Sequence, residues 1–218
     1  MKYDQIAEAY IRLLTEVVHP QLDERGKPVK IWDPHTPSDS NTWKDPSSIA
    51  TITPGHSILD SDPKFNQSKP DWNNKSLHGT FEEPPVDNRS GKSLASGVIV
   101  HEDDGRVWVV HPTNQFGGYE STFPKGKLDP GMDMRSNAIK EGWEESGLNV
   151  QLTGHATDVE RSTSYTRYYH ARRIGGNPKN MGWESQAVSL VPKEKLAGFA
   201  NHPNDRAIVA AAINHRIA

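Results

Sequence analysis

The stretch that constrains this chain most runs from Phe123 to Leu148: FPKGKLDPG, followed at once by MDMRSNAIKEGWEESGL. Its first half is a turn-rich loop. Pro124 and Pro130 restrict the backbone, while Gly126 and Gly131 can take angles closed to other residues. Its second half has the pattern of a helix. Asp133 stands at the N-cap position, Ala138, Ile139, Gly142 and Trp143 share one side, and Gly147 sits where a C-terminal stop belongs. On that helix Glu141, Glu144 and Glu145 fall at i, i+3 and i+4, inside a sector roughly 100° wide. Carboxylates that close repel one another. Either they form a solvated acidic face, or a hard divalent cation such as Mg²⁺ or Mn²⁺ offsets the repulsion, since such ions take oxygen ligands.

The run resembles the Nudix box. That pattern is glycine, five residues, glutamate, seven residues, Arg-Glu, an aliphatic, any residue, Glu-Glu, any residue, glycine and an aliphatic. Gly126 matches the opening glycine, and Glu141, Glu144, Glu145, Gly147 and Leu148 match the distal half. Three positions depart: Met132 stands for the first glutamate, Lys140 for the arginine and Gly142 for the aliphatic. In the family that glutamate and arginine pair to brace the loop against the helix. Here both members have changed together, and Asp133 is the nearby acid offered to Lys140. The resemblance implies the α/β class, as a Nudix-type α/β/α sandwich with a mixed sheet. It also implies that Glu141, Glu144 and Glu145 are metal ligands, with the Gly126 carbonyl completing the shell around Mg²⁺ or Mn²⁺. A diphosphate bridge is the substrate such a site suits, because a dication neutralises phosphate oxygens and lowers the pKa of a bound water.

Around this centre the chain divides into three. Tyr3, Ile6, Ala7, Tyr10, Ile11, Leu14, Val17 and Val18 recur at helical spacing, so residues 1–20 read as an amphipathic helix ended by Pro20. That helix packs on the main domain or across a homodimer. Residues 21–91 are rich in Pro, Asp, Asn, Ser and Lys, with Trp32, Trp43, Phe65, Trp72 and Phe81 standing alone. They form either a disordered linker or an extended arm pinned by those aromatics, and the aromatics favour the arm. Gly91-Lys92-Ser93 looks like the tail of a phosphate-binding loop, but Val86 holds the position of its first glycine and no apolar strand precedes it.

Residues 92–218 carry the Nudix domain. Strands are expected at Leu94–His101, Arg106–His111, Tyr119–Phe123, Val150–Ala156, Tyr165–Arg173 and Ser185–Val191, with Glu102–Gly105 a hairpin turn and 174–182 a loop. Helices are expected at Glu194–Phe199 and Asn204–Ile217.

Trp183-Glu184-Ser-Gln-Ala187 resembles the segment after the box in dinucleoside polyphosphate hydrolases, where a glutamate lies beside the metals. Glu184 is therefore expected as an extra ligand or general base, with Glu145 the alternative and Glu144 in the same catalytic set. Lys125, Arg161, Tyr165, Arg167 and Tyr168 are the candidate substrate-binding residues, since arginine clamps phosphate and tyrosine stacks on bases. The plainer reading of the Tyr/Arg alternation is a half-buried strand with a charged face. The ten histidines show no paired-ligand spacing and are expected to be structural or on the surface.

A net charge of −3 offers no field for bulk nucleic-acid binding, no apolar run is long enough to span a membrane, and the lack of cysteine suits a cytoplasmic protein. The leading expectation is Mg²⁺-dependent hydrolysis of a nucleoside diphosphate linked to another group, closest to the dinucleoside polyphosphate branch. ADP-ribose is the rival substrate, and an RNA 5′ end is a third. A Nudix-fold module that binds a nucleotide without turnover is the reading outside enzymology.

Overall fold

The computed structural model describes residues 17–65 and 69–216. Strands β1 (Val17–Val18) and β2 (Lys30–Ile31) form a small antiparallel pair. Most of the helix expected over 1–20, and with it the dimer contact, lies outside the described residues. Its last turn is corrected: Val17 and Val18 are extended, and the His19 N–H bonds Val29 O at 2.8 Å.

Residues of the 21–91 segment lie against the main sheet. Helix α1 (Ser40–Lys44) begins at Asp39, whose side chain accepts from the N–H groups of Asn41 and Thr42, and it delivers Trp43 to the core. Strand β3 (Ala50–Ile52) pairs antiparallel with β9 (Ser185–Pro192) and so becomes one edge of the sheet. The rings of Trp43, Phe65 and Trp108 meet with centroids 5.7 to 6.4 Å apart. Arg135 caps the Phe81 ring at 4.0 Å and bonds the carbonyls of His78, Gly79 and Phe81. Trp43, Phe65, Trp72 and Phe81 are thus anchors of a polar stretch, whereas Trp32 stays 77% exposed and pins nothing.

The sheet has seven strands. Beyond β3 and β9 these are β4 (Ser93–His101), β5 (Arg106–Pro112), β6 (Lys125–Lys127), β7 (Leu148–Glu160) and β8 (Ser164–Gly176). The order is β3-β9-β5-β4-β8-β7, with β6 paired to β4. Only β4 and β8 run parallel; the other pairings are antiparallel, so the sheet is mixed. Side chains alternate between its faces. Val98, Val100, Val150, Tyr169 and Ala171 pack with Ala138 and Ile139 of α2 (Met134–Ser146). Ile99, Val107, Val109, Tyr168 and Val191 pack with α3 (Lys193–Phe199) and α4 (Arg206–Asn214). Helices on both faces complete an α/β/α sandwich.

Three expectations need adjustment. Tyr119–Phe123 is not a strand; a single bridge, Thr122 to Val110, is all that pairs there. The chain before it turns tightly through Asn114 and Gln115 at φ of 54° and 56°, which stops a ladder from growing. The last helix starts later and ends earlier than expected, because Pro203–Asp205 forms a 3₁₀ turn ahead of it. Strands β7 and β8 both run longer than expected, to Glu160 and Gly176.

Candidate catalytic cleft

The helix that carries the glutamates is closed at both ends as its sequence requires. Asp133 accepts from the Ser136 N–H at 2.8 Å, and Gly147 takes φ 70° while its N–H bonds Trp143 O at 2.7 Å. The Gly126 loop lies flush on both β4 and α2. A Cβ on Gly97 would fall 2.3 Å from Pro124 O, and one on Gly126 would fall 2.2 Å from Glu141 Oε2. A side chain at Gly97 would push the loop off β4, and one at Gly126 would displace the Glu141 carboxyl from the cleft.

Asn137 holds the loop in place. Its Nδ2 donates to Ser96 Oγ at 3.0 Å and to Gly126 O at 3.3 Å, while its Oδ1 accepts from the Asp129 N–H at 3.2 Å. This residue was not singled out from sequence. The available signal was an amide on the face shared with Ala138 and Ile139, where a buried polar group needs partners.

The family's brace is present with other atoms. Lys140 Nζ lies 3.1 Å from Asp129, 3.0 Å from Glu144 and 3.4 Å from Glu141. Asp133, the partner expected for Lys140, instead caps the helix and bonds Lys75 at 2.9 Å. Burial works against charge on Lys140, yet the bond to Glu144 and the field of Glu141 hold its pKa above the usual lysine range.

Loop 177–184 hangs from the far end of α2, with the Gly182 N–H on Glu144 O at 2.7 Å. Thr113 secures the same loop through Glu184 O and Trp183 O. Glu184 thereby reaches the rim of a cleft of about 800 Å³ lined also by Glu141, Glu144, Glu145, Gly126, Lys127, Trp143 and Trp183. Glu141 and Glu145 are each only 7% exposed. Burial pushes Glu141 up to about 7, with Glu144 and Glu184 adding to the rise and Lys140 opposing it. Burial likewise pushes Glu145 up to about 8, against the pull of Lys125, whose N–H bonds Glu145 Oε2 at 3.2 Å. Glu184 is exposed on its outer side, but the cleft wall still desolvates its carboxyl and raises its pKa, with Glu144 and Glu24 reinforcing this.

Oxygen donors alone, partly buried and repelling one another, are the donor set a hard dication takes, so the residues fit such an ion. Glu141, Glu144, Glu145 and Glu184 would hold it, with the Gly126 carbonyl beside them. Their carboxylates have not converged on a single point: among the described residues, only a histidine group brings three ligand atoms within 4.8 Å. Exposed Glu144, released from Lys140, has the freedom to close that gap.

Four of the candidate substrate residues lie outside the lining of the glutamate cleft. Arg161 is buried, with Nη2 bonding Tyr168 Oη and Asp205 Oδ1, each at 3.0 Å, and Nη1 bonding Tyr119 Oη. Tyr168 is fully buried and sits behind Glu145. Arg167 forks onto Asp158 at 2.8 and 2.7 Å and reaches Glu83 at 3.3 Å, while Tyr165 donates to the same Asp158 at 2.8 Å. The cause is coverage: residues 83–85 lie over this end of β8, so its arginine pairs inside the protein. Lys125 alone of the five faces the glutamates.

The match to known families decides the lineage. The NUDIX domain model matches residues 91–212, more than half of the chain. The protein belongs to the NUDIX family. A curated RNA pyrophosphohydrolase of Caulobacter vibrioides is 34% identical over 92 residues, 41% of this chain and 50% of that protein. The chain thus spans about half the length of the curated relatives it matches. Among solved structures, a NUDIX hydrolase from Nitrosomonas europaea overlaps 56% of this chain and 68% of its own, at 18% identity and TM-score 0.46. An Ap4A hydrolase of C. elegans overlaps 55% of this chain and 93% of its own, at 20% identity and TM-score 0.44. Among the described residues of this NUDIX chain, no helix is long and apolar enough to cross a membrane.

Proposed function

We propose that this NUDIX chain is a Mg²⁺-dependent pyrophosphohydrolase that cleaves a nucleoside diphosphate linked to another group, with a dinucleoside polyphosphate as the favoured substrate. The observation that carries the reading is the cleft itself, which Glu141, Glu144, Glu145 and Glu184 line with no matching number of cations. A bound dication would neutralise phosphate oxygens and make water a stronger acid.

The chain's own residues supply the rest. Glu141 and Glu145 present carboxyl oxygens from one helix, and Gly126 keeps the loop tight against them. Glu184 takes the proton of the attacking water on its carboxylate; a raised pKa brings its proton affinity toward working pH. Glu145 is the alternative base. Lys127 on the cleft wall and Lys125 beside Glu145 neutralise the non-bridging oxygens of the substrate, and the Trp143 and Trp183 rings flank the cleft as surfaces for a nucleobase. The absence of cysteine suits a cytoplasmic setting.

A second reading, removal of pyrophosphate from an RNA 5′ end, has specific support in the likeness to the Caulobacter RNA pyrophosphohydrolase. A substrate panel separates the two. The protein is incubated with Mg²⁺ and a dinucleoside tetraphosphate, ADP-ribose or a 5′-triphosphorylated RNA, and products are read by mass spectrometry in ¹⁸O water. Turnover is expected to be greatest on the dinucleotide, with ¹⁸O in one product. Preference for the RNA would move the assignment to that branch, and binding without turnover of any of them would leave a nucleotide sensor.

A further inference from the structure

On the face of the sheet turned away from α2, three imidazoles meet. His101 ends β4 and His170 lies on β8, each two residues beyond a side chain of the α3/α4 core, Ile99 and Tyr168. The parallel register pairs Ile99 with His170, so His101 reaches diagonally and places Nε2 3.0 Å from His170 Nδ1. His215 follows α4 and closes the group, its ring centroid 4.5 Å from that of His101 and 3.9 Å from that of His170. One ring nitrogen from each of the three lies within 4.8 Å of the others. The other nitrogen of His101, Nδ1, is buried with no hydrogen-bond partner among the described residues.

We infer that His101, His170 and His215 form a binding site for a zinc-class transition ion, separate from the glutamate cleft. Nitrogen donors choose such an ion over Mg²⁺, because imidazole suits Zn²⁺, Cu²⁺ and Ni²⁺ while hard cations take oxygen. The imidazoles are already in the form that ligates. Burial, then the neighbouring His215 and Lys193, keeps His101 and His170 neutral, with pKa values down at about 3. Lys193 is the cation that faces the group, but its Nζ is held by His215 O at 2.7 Å.

Geometry favours a small closing movement. A tetrahedral zinc with Zn–N near 2.0–2.1 Å needs ligand nitrogens roughly 3.3 Å apart. His101 and His170 stand on adjacent strands with facing nitrogens 3.0 Å apart, within a few tenths of an ångström of that spacing, so His215, half-buried at the end of α4, is the ligand that swings in. Binding would tie the C-terminal end of α4 to β4 and β8.

The test uses the full chain without a polyhistidine tag, stripped with chelator and held in excess Mg²⁺ to occupy the glutamate cleft. Calorimetric titration with zinc chloride is expected to show one equivalent bound with a Kd of about 1 μM or tighter. His215→Ala is expected to weaken zinc at least about tenfold, while Mg²⁺-dependent turnover, melting point in chelator and circular dichroism stay unchanged. Glu145→Gln is expected to keep full zinc affinity. The assignment fails if wild type takes up no zinc, or if His215→Ala binds it as tightly as wild type. It also fails if Glu145→Gln is the variant that loses it.

Discussion

Two charged regions lie on the α2 side of this molecule and solve opposite problems. In one, Arg135 and Arg167 meet Glu83 and Asp158, with two guanidiniums against two carboxylates and Arg167 only 2% exposed. In the other, Glu141, Glu144, Glu145, Glu184 and Asp129 outnumber Lys125, Lys127 and Lys140. The first region is balanced by the fold. The second is not, and buried carboxylates in excess destabilise a protein unless something from outside completes them. Charge balance, more than residue type, separates a structural network from a site here.

Three experiments press on that contrast. The largest effect belongs to Glu145→Gln, expected to lower kcat on the order of 10³-fold. Without added cation its melting point should hold or rise, since a buried acid that is costly to ionise has been replaced by a neutral amide. Phosphate release beside a thermal melt reads both, and normal turnover would return the glutamates to a plain acidic face. Arg167→Ala should do the reverse, costing about 3–5 kcal/mol of stability by stranding Asp158. KM of the remaining folded enzyme should move less than about twofold. A raised KM at unchanged stability would restore Arg167 as a substrate clamp.

The third effect is smaller and depends on pH. Glu141 and Glu145 hold protons in the folded chain up to about 7 and about 8, whereas unfolded glutamates release them near 4.5. Their contribution is fully present below that lower value and is lost as pH rises through 7 and 8. Without added cation the melting point should therefore fall between pH 5 and pH 8. Added Mg²⁺ should raise it by several degrees more at the upper end, where it has fewer protons to displace. An equal gain at both pH values would show that the cation binds away from these two carboxylates.

Much of the site was legible because its signals are local. The spacing of Glu141, Glu144 and Glu145, the Asp133 cap and the Gly147 stop all lie within one helix, where sequence distance translates directly into angle. What escaped was set by contacts across the chain. Asp133 was offered to Lys140, but a cap takes the acid nearest the helix start, and Asp129 on the loop fills the role. Arg161 and Arg167 suit phosphate equally well on paper. That Asp205 and Asp158 claim them follows from which segments cover β8, and no periodicity encodes that. The ten histidines carry no motif, yet His101 and His170, 69 residues apart, touch because β4 and β8 run side by side.

The place of β3 on the rim of β9 has a practical meaning. A recombinant fragment cut to the family's limits, 91–212, would lack the ribbon that covers the free edge of β9 and the two rings packed against Trp108. Its backbone donors would then be free to recruit a neighbouring copy, and such a fragment would be prone to self-association on the way to folding. For this member of the family, the residues that look dispensable complete the sheet's edge and part of its core.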